Sequence, residues 1–428
     1  MRQFYPLELD DMDSFKRKLL QLSKNFSPVC FLESNNYPNY PYTTFGNLIA
    51  LDAVEVFNSE LDALNGLQNF IDAQQDWLFG YISYDLKNEI EPELTSQNAD
   101  GIQAPLVHFF VPRYLLKIEK DKVEIGVKNQ KAVEDFKKLL LSTVDGRQST
   151  VLPASNLSKR ISKEEYLLSV EKLKQHILRG DIYEINFCQE WYAENTIIDP
   201  VQVFEKLNAI SKAPFTSYFK SGDWHLLCAS PERFLKKQKN KLISQPIKGT
   251  RRRGADSQAD QYLRTELLQE EKERSENVMI VDLVRNDLSR IAEKHSVQVE
   301  ELFGIYTFEQ VHQMISTITA TIPDSVSFTD ILRAVFPMGS MTGAPKVSAM
   351  QLIEKYEKTK RGIFSGTVGY ITPKGNFDFN VVIRSILYNA SNQYVSVQTG
   401  SAVTYDCDAE QEYEECLLKA QAMLKALQ

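Results

Sequence analysis

The chain reads as an α+β protein built on large, mostly antiparallel β-sheets. Strand-like runs recur at 182–191, 224–229, 234–243, 366–371, 381–387 and 394–398. Several are separated by turns too short for the crossover that a parallel pair needs. Segments with helical spacing and their own capping residues lie between these runs, without the strict strand–helix alternation of a doubly wound sheet.

The elements follow in chain order. Phe15, Leu19, Leu20 and Leu22 predict a helix within 10–25. Ser59 is placed to cap a second helix ending near Gln75. The imperfect alternation over 106–127, broken at Lys120-Asp121-Lys122, predicts a hairpin. A polar stretch at 143–159, rich in Ser, Thr and Asn, predicts a surface connection. It divides an N-terminal region, 1–145, from a second region, 160–428.

Beyond it, Ser162 and Glu165 form a capping box. Tyr166, Val170, Leu173 and Ile177 then repeat at helical spacing, and Gly180 ends the run. Asp199-Pro200 supplies an N-cap and first-turn proline for a further helix.

Composition narrows the function. Of 428 residues, 43% are hydrophobic and 25% charged, the balance of a globular protein with a sizeable core. The net charge of −8 lacks the basic excess of a nucleic-acid binder. No apolar run reaches the roughly 18 residues of a membrane span, and the N-terminus lacks a signal-peptide pattern. These features predict a cytoplasmic protein with no nucleic-acid or membrane partner. Five scattered cysteines without a CxxC or Cys/His cluster argue against zinc and for buried thiols in a reducing compartment.

Four segments carry chemistry. Glu273 and Glu276 in KERSEN, and Glu412 and Glu415 in EYEE, stand three apart on helix-like stretches. Each pair shares a helix face. Two such faces opposed suit a magnesium ion, and two solvated faces are the plainer alternative. In PIKGTRRRG (246–254), Gly249 permits close backbone approach, and the amides about Thr250 suit a carboxylate. The three arginines after Lys248, together with burial, would depress its pKa and free an amine nucleophile; a surface basic loop is the alternative. Glu232 in SPERF is either a general acid or the ion-pair partner of Arg233. Finally, GSMTGAPK (339–346) is a Gly-rich turn leading into a helix, an anion-binding arrangement that lacks the Walker A spacing.

Taken in order, GDIYEINF, SPERF, PIKGTRRRG, KERSENVMIVDLVRNDLSR, PMGSMTGAPK, RGIFSGTVGY, VVIRS, TGSAVTYDCD and EYEE resemble the chorismate-utilising enzyme family. The likeness runs from about Ser162 to the C-terminus. FLES (31–34) and GYISYD (80–85) match more loosely. The resemblance implies a chorismate-utilising fold of large sheets packed as a sandwich with helices outside.

It implies Mg2+ held by Glu276 and Glu415, with Glu273 and Glu412 as acidic neighbours. It implies chorismate-binding groups at Gly249, Thr250, Ser340, Tyr370, Arg384 and the Gly400-Ser401-Ala402 turn. A guanidinium fork such as that of Arg384 suits a carboxylate. Lys248, at the x of P-I-x-G-T, resembles the branch that makes 4-amino-4-deoxychorismate, the precursor of 4-aminobenzoate and folate. The anthranilate-forming branch typically has Ala there.

The implied route is covalent: Glu232 protonates the departing C4 hydroxyl while Lys248 attacks C2, and ammonia then adds at C4 and expels the lysine. Without a G-x-C-x-G nucleophile elbow the chain lacks its own glutaminase, so a separate glutaminase subunit is expected to supply ammonia. Anthranilate synthesis is the nearest alternative. Isochorismate or salicylate synthesis and a non-catalytic binding protein of the same fold are more distant ones. Two departures stand out. Gln313 occupies the place of the histidine in the family's H-L-V-S, with His312 displaced by one toward a structural role. Ala402 ends a turn that usually reads G-x-G.

Overall fold

Two long strands, Asn47–Ser59 and Val107–Glu119, join the two sheets of the molecule. They pair antiparallel, with a register shift between Ala53 and Glu55 next to Asp52 in left-handed backbone (φ 58°). Such a bulge bends a strand pair. The two ends of Val107–Glu119 accordingly serve different sheets: residues 115–119 pair with Lys122–Val127, and residues 107–110 pair with Leu78–Ile82. The computed structural model describes residues 2–8, 11–35, 37, 40, 42–120, 122–143 and 157–428. Residues 144–156 of the expected connection lie outside the described residues.

The first sheet continues from Asn47–Ser59 through Val29–Glu33, Phe215–Ser221, Trp224–Ser230, Ser385–Asn389 and Tyr394–Val403 to Glu184–Ala193. The second runs from Leu78–Ile82 through Thr367–Ile371, Phe377–Asn380, Arg233–Gln238 and Lys241–Gln245 to Val311–Thr321. Each of these ladders is antiparallel, as expected. Residues from both 1–145 and 160–428 sit in both sheets.

Strand alternation sorts the first sheet's side chains into two layers. Cys30, Leu32, Phe215, Phe219, Leu226 and Cys228 face a core shared with second-sheet residues such as Leu235, Val368 and Phe379. Their sequence neighbours Val29, Phe31, Tyr218 and Leu227 face outward into a layer closed by helices. Phe15, Leu19 and Leu22 of helix Met12–Ser23 belong to that layer, as do Tyr166, Val170 and Leu173 of Lys163–Arg179 and Cys416, Ala420 and Met423 of Ala409–Ala426.

Local signals hold where capping is local. Ser162 and Glu165 form the capping box, Gly180 closes that helix at φ 82°, and Asp199 caps Pro200–Ile210. Three expectations change. Ser59 ends a strand instead of capping a helix; helix Ala63–Ala73 begins later, and the remote Glu89 carboxylate accepts from the Ala63 and Leu64 amides. Residues 234–243 form two hairpin strands, turning where Lys239 takes φ 56°. Residues 381–384 are not strand: Ser385–Asn389 starts only after Arg384, whose φ of 52° breaks the run.

Candidate active site

Two crossovers between the sheets lie side by side and carry two of the expected groups. Glu232 sits between Trp224–Ser230 of the first sheet and Arg233–Gln238 of the second. Arg384 sits on the return from Phe377–Asn380 to Ser385–Asn389. The Val381 amide donates to the Glu232 carbonyl at 3.0 Å, and the Ala229 amide donates to the Arg384 carbonyl at 3.1 Å.

The Glu232 carboxyl is buried, 4% exposed, and accepts from Ser340 Oγ at 2.8 Å. Arg233 turns away to Asp378 (2.9 Å), so the pairing of Glu232 with its neighbour does not form. Burial pushes the Glu232 pKa up to about 7, against the lowering effects of Ser340 and Lys248. A carboxyl poised there can hold a proton at neutral pH and give it up.

Lys248 lies on strand Ile247–Arg252, next to a bulge. Ile247 pairs with Ile315 but Thr250 with Gln313, which leaves one extra residue on the Lys248 side. Gly249 takes φ 86° there, and a Cβ on it would come within 3.2 Å of Glu273 Oε2. The bulge re-aims Lys248: its Nζ lies 2.6 Å from Glu184 Oε1 and 3.3 Å from Glu276 Oε2.

This corrects the expectation of a depressed pKa. Arg251 goes to Glu266, Glu270 and Glu273, each at 3.3 Å, and Arg253 to Asp260 at 2.7 Å, so these guanidiniums are neutralised elsewhere. Burial alone would lower the Lys248 pKa, but Glu184 and Glu276 outweigh it and raise the value. The resting side chain is an ammonium.

The paired glutamates stand as their spacing predicts, on helices Glu271–Ser289 and Ala409–Ala426. Glu276 and Glu412 are buried, at 7% and 2% exposure. Burial raises the pKa of Glu273, and so do Glu276 and Glu415; burial and Glu415 raise that of Glu412. Burial would raise Glu415 as well, but Lys419, Lys248 and Lys272 hold it below the usual range. Lys272 Nζ lies 3.2 Å from Glu412 and 4.0 Å from Glu276, and it also feels Glu415. Lys272 thus lies between one carboxylate of each helix, Glu276 and Glu412.

Arg384 is partly buried and donates to the Lys419 carbonyl at 3.4 Å. No carboxylate lies within ion-pair distance of it among the described residues, and burial lowers its pKa. Residues 400–402 form strand, not the expected turn: they continue the ladder with Phe187 and its neighbours. Gly400 is required by that packing, since a Cβ would meet Asn186 Oδ1 and Cys188 Sγ at 2.4 Å. The Gly400 carbonyl accepts from Lys419 at 2.8 Å, across the edge facing away from Glu184–Ala193. In a strand the N–H and C=O of one residue share an edge and alternate residues repeat it. The Gly400 and Ala402 amides therefore face the same side as Lys419. Ser401 Oγ bonds Tyr166 Oη at 2.8 Å.

Thr250 is exposed beside the bulge. Tyr370 packs against Phe45, Trp77 and Phe79, beside Arg233 and Asp378. In the Gly-rich segment Asn186 Nδ2 binds the Ser340 carbonyl and Arg361 the Met341 carbonyl, and Lys346 pairs with Asp287. His312 is a clamp, bonded to Asp260 and Thr307, each at 2.9 Å.

Residues 28–425 match the family of chorismate binding enzymes. The chain belongs to this family. Aminodeoxychorismate synthase component 1 of Escherichia coli (strain K12) is 30% identical over 430 residues, covering 94% of each chain. The protein of the same name from Bacillus subtilis (strain 168) is 31% identical over 367 residues, 83% of this chain and 77% of that one. The crystal structure of anthranilate synthase component I from Streptococcus pneumoniae TIGR4 superposes with a TM-score of 0.77 at 27% identity, covering 88% of this chain and 91% of that one.

Three residues of this chorismate-binding enzyme escaped the sequence reading: Glu184, Lys272 and Lys419. Glu184 lies in GDIYEINF, but nothing local ties it to a lysine 64 residues on. The lysines were readable as i, i+4 partners of Glu276 and Glu415. All five cysteines are buried and free, as expected. Among the described residues no helix is long and apolar enough to cross a membrane.

A divalent ion passes a test of fit. Among the described residues no three acidic, His or Cys side chains converge as a ready cage. Magnesium needs only one or two carboxylates, with waters and an anionic substrate group. The oxygen donors of Glu276 and Glu415, drawn around ammonium groups, suit such an ion.

Proposed function

We propose that this enzyme aminates chorismate at C4 to give 4-amino-4-deoxychorismate, using ammonia from a separate glutaminase subunit and Mg2+ held by Glu276 and Glu415. One observation carries the reading: the amine of Lys248, on strand Ile247–Arg252, interacts with Glu232, a carboxyl with a pKa near 7 on the crossover between two strands. The sequences named aminodeoxychorismate synthase component 1 support it at 30–31% identity over most of the chain.

Chorismate carries two carboxylates. Arg384, with the Gly400 and Ala402 amides, takes one, and the acidic cleft takes the other with the metal. Bound magnesium would neutralise and fix that carboxylate. Lys248 first passes a proton to Glu184 Oε1, 2.6 Å away. The freed Nζ bonds to C2, the ring double bonds shift, and the C4–oxygen bond breaks as Glu232 supplies the proton that makes water. Ammonia then bonds to C4, the double bonds shift back, and the C2–Nζ bond breaks. The new ammonium group passes a proton back to Glu232, and Glu184 returns its proton to the released amine, so Lys248 is regenerated. Biosynthesis of 4-aminobenzoate and folate in the cytoplasm is the setting this product fits.

Anthranilate synthesis is the second reading, favoured by the likeness to the Streptococcus pneumoniae enzyme. Mass spectrometry of the products from chorismate, Mg2+ and concentrated ammonium salt separates the two. A mass for 4-amino-4-deoxychorismate is expected. Anthranilate with released pyruvate, or isochorismate formed without ammonia, would overturn the proposal.

A further inference from the structure

A second feature lies behind Glu232. A cavity of about 20 Å³ opens between helix Glu271–Ser289, strand Arg233–Gln238 and the turn at Gly339–Met341. That volume holds one molecule the size of water or ammonia. Its walls are mostly apolar, with Leu235, Val284, Val335 and Met338 among them. Its polar lining includes Glu232, Ser340 and Asp287.

Asp287 is 3% exposed. One carboxylate oxygen, Oδ2, accepts from Lys346 Nζ at 2.5 Å. The other, Oδ1, is buried without any hydrogen-bond partner. A buried acceptor left unpaired costs on the order of 1–3 kcal/mol, so an orphan oxygen beside a small cavity calls for a donor in it.

We infer that this cavity is an ammonia-binding site in which Asp287 Oδ1 accepts a hydrogen bond from the ligand. The inference rests on the amination reading above and extends it by naming where the nitrogen source waits. The chemistry favours a small neutral donor. Ammonia offers three N–H groups and one lone pair to Asp287 Oδ1 and the other polar groups of the lining, and it tolerates the apolar walls. An ammonium ion would place an added charge beside the Lys346 ammonium. The same cavity is lined by Glu232, so a molecule held there waits next to the carboxyl assigned to C4. The Lys346 pair fixes the Asp287 side chain and leaves only Oδ1 to face a ligand.

The test uses the full chain with chorismate, Mg2+ and ammonium chloride as the sole nitrogen source, at fixed pH. In Asp287→Asn the amide can present a donor where the orphan acceptor stood. Its KM for ammonium is expected to rise by about tenfold or more, with the KM for chorismate changed by less than about twofold. Val284→Leu narrows the cavity from its apolar wall and keeps both members of the Asp287–Lys346 pair, and it is expected to raise the ammonium KM in the same direction. It decides the matter if Asp287→Asn does not fold. Wild-type ammonium KM in Val284→Leu, or in a folded Asp287→Asn, would show that the cavity holds only water and overturn the inference, leaving the amination reading intact. A wild-type chain that makes no aminated product from ammonium would sink both together.

Discussion

Ser340 Oγ donates to Glu232 Oε1 at 2.8 Å inside a buried pocket, and this bond tunes a carboxyl whose pKa lies near 7. A hydrogen bond to the carboxylate favours the charged form, so it opposes the burial that raises the pKa. If Glu232 is the acid, kcat/KM falls as pH rises through about 7, because the protonated form is lost. Ser340→Ala removes the opposing bond, so that alkaline limb moves to higher pH. A pH–rate profile of the two proteins checks it; a limb that stays put or moves down removes Glu232 from the acid role.

Lys248 is held by two carboxylates, so its charge and its nucleophilicity can be tested apart. Lys248→Arg keeps a cation between Glu184 and Glu276 but offers no attacking amine at neutral pH. The variant is expected to fold with near wild-type denaturation behaviour and to lose on the order of a thousandfold or more in kcat. Product formation followed by chromatography, alongside a urea titration, reads both. Retained amination would end the covalent route while leaving the family assignment untouched.

Arg384 is a partly buried guanidinium without a carboxylate partner among the described residues, placed beside strand amides that face the same edge. A charged hydrogen bond of this kind contributes about 1.5–3 kcal/mol, which corresponds to roughly 10- to 150-fold in affinity. Arg384→Met is expected to raise the chorismate KM by that range, with Mg2+ dependence unchanged. Substrate titration at saturating magnesium measures it. An unaffected KM would mean that the guanidinium serves only the Lys419 carbonyl.

The parts of this enzyme legible in its sequence are those that a short window determines. The Glu273/Glu276 and Glu412/Glu415 pairs were readable because an i, i+3 spacing fixes a shared helix face. The Ser162 capping box was readable for the same reason. The place of Lys248 is legible in its motif, but its charge state is not. The nearby arginines are close in sequence, yet the bulge at Gly249 sends Lys248 to Glu184 and Arg251 to Glu266, Glu270 and Glu273. Those pairings span up to 64 residues, and no periodicity encodes them. The strand expected across 381–387 failed at Arg384 because an apolar run says nothing about a left-handed residue at a sheet crossover.

The frame that holds these crossovers is itself testable. Arg233 and Lys236 both bind the fully buried Asp378, with the guanidinium at 2.9 and 3.1 Å and the ammonium at 3.1 Å. Thr43 supplies a carbonyl to both cations. Charges taken from water are costly, so such a triad stabilises only while every member is paired. Asp378→Asn removes the buried carboxylate that both cations bind and is expected to cost about 3–5 kcal/mol in a urea denaturation series. Replacing Arg233, Lys236 and Asp378 together by Met, Met and Leu removes the charges along with the need to pair them, so the triple variant should lose less than Asp378→Asn alone. The opposite order would mean that the triad contributes net stability beyond mutual compensation, and that the Glu232 crossover depends on its charges as well as its shape.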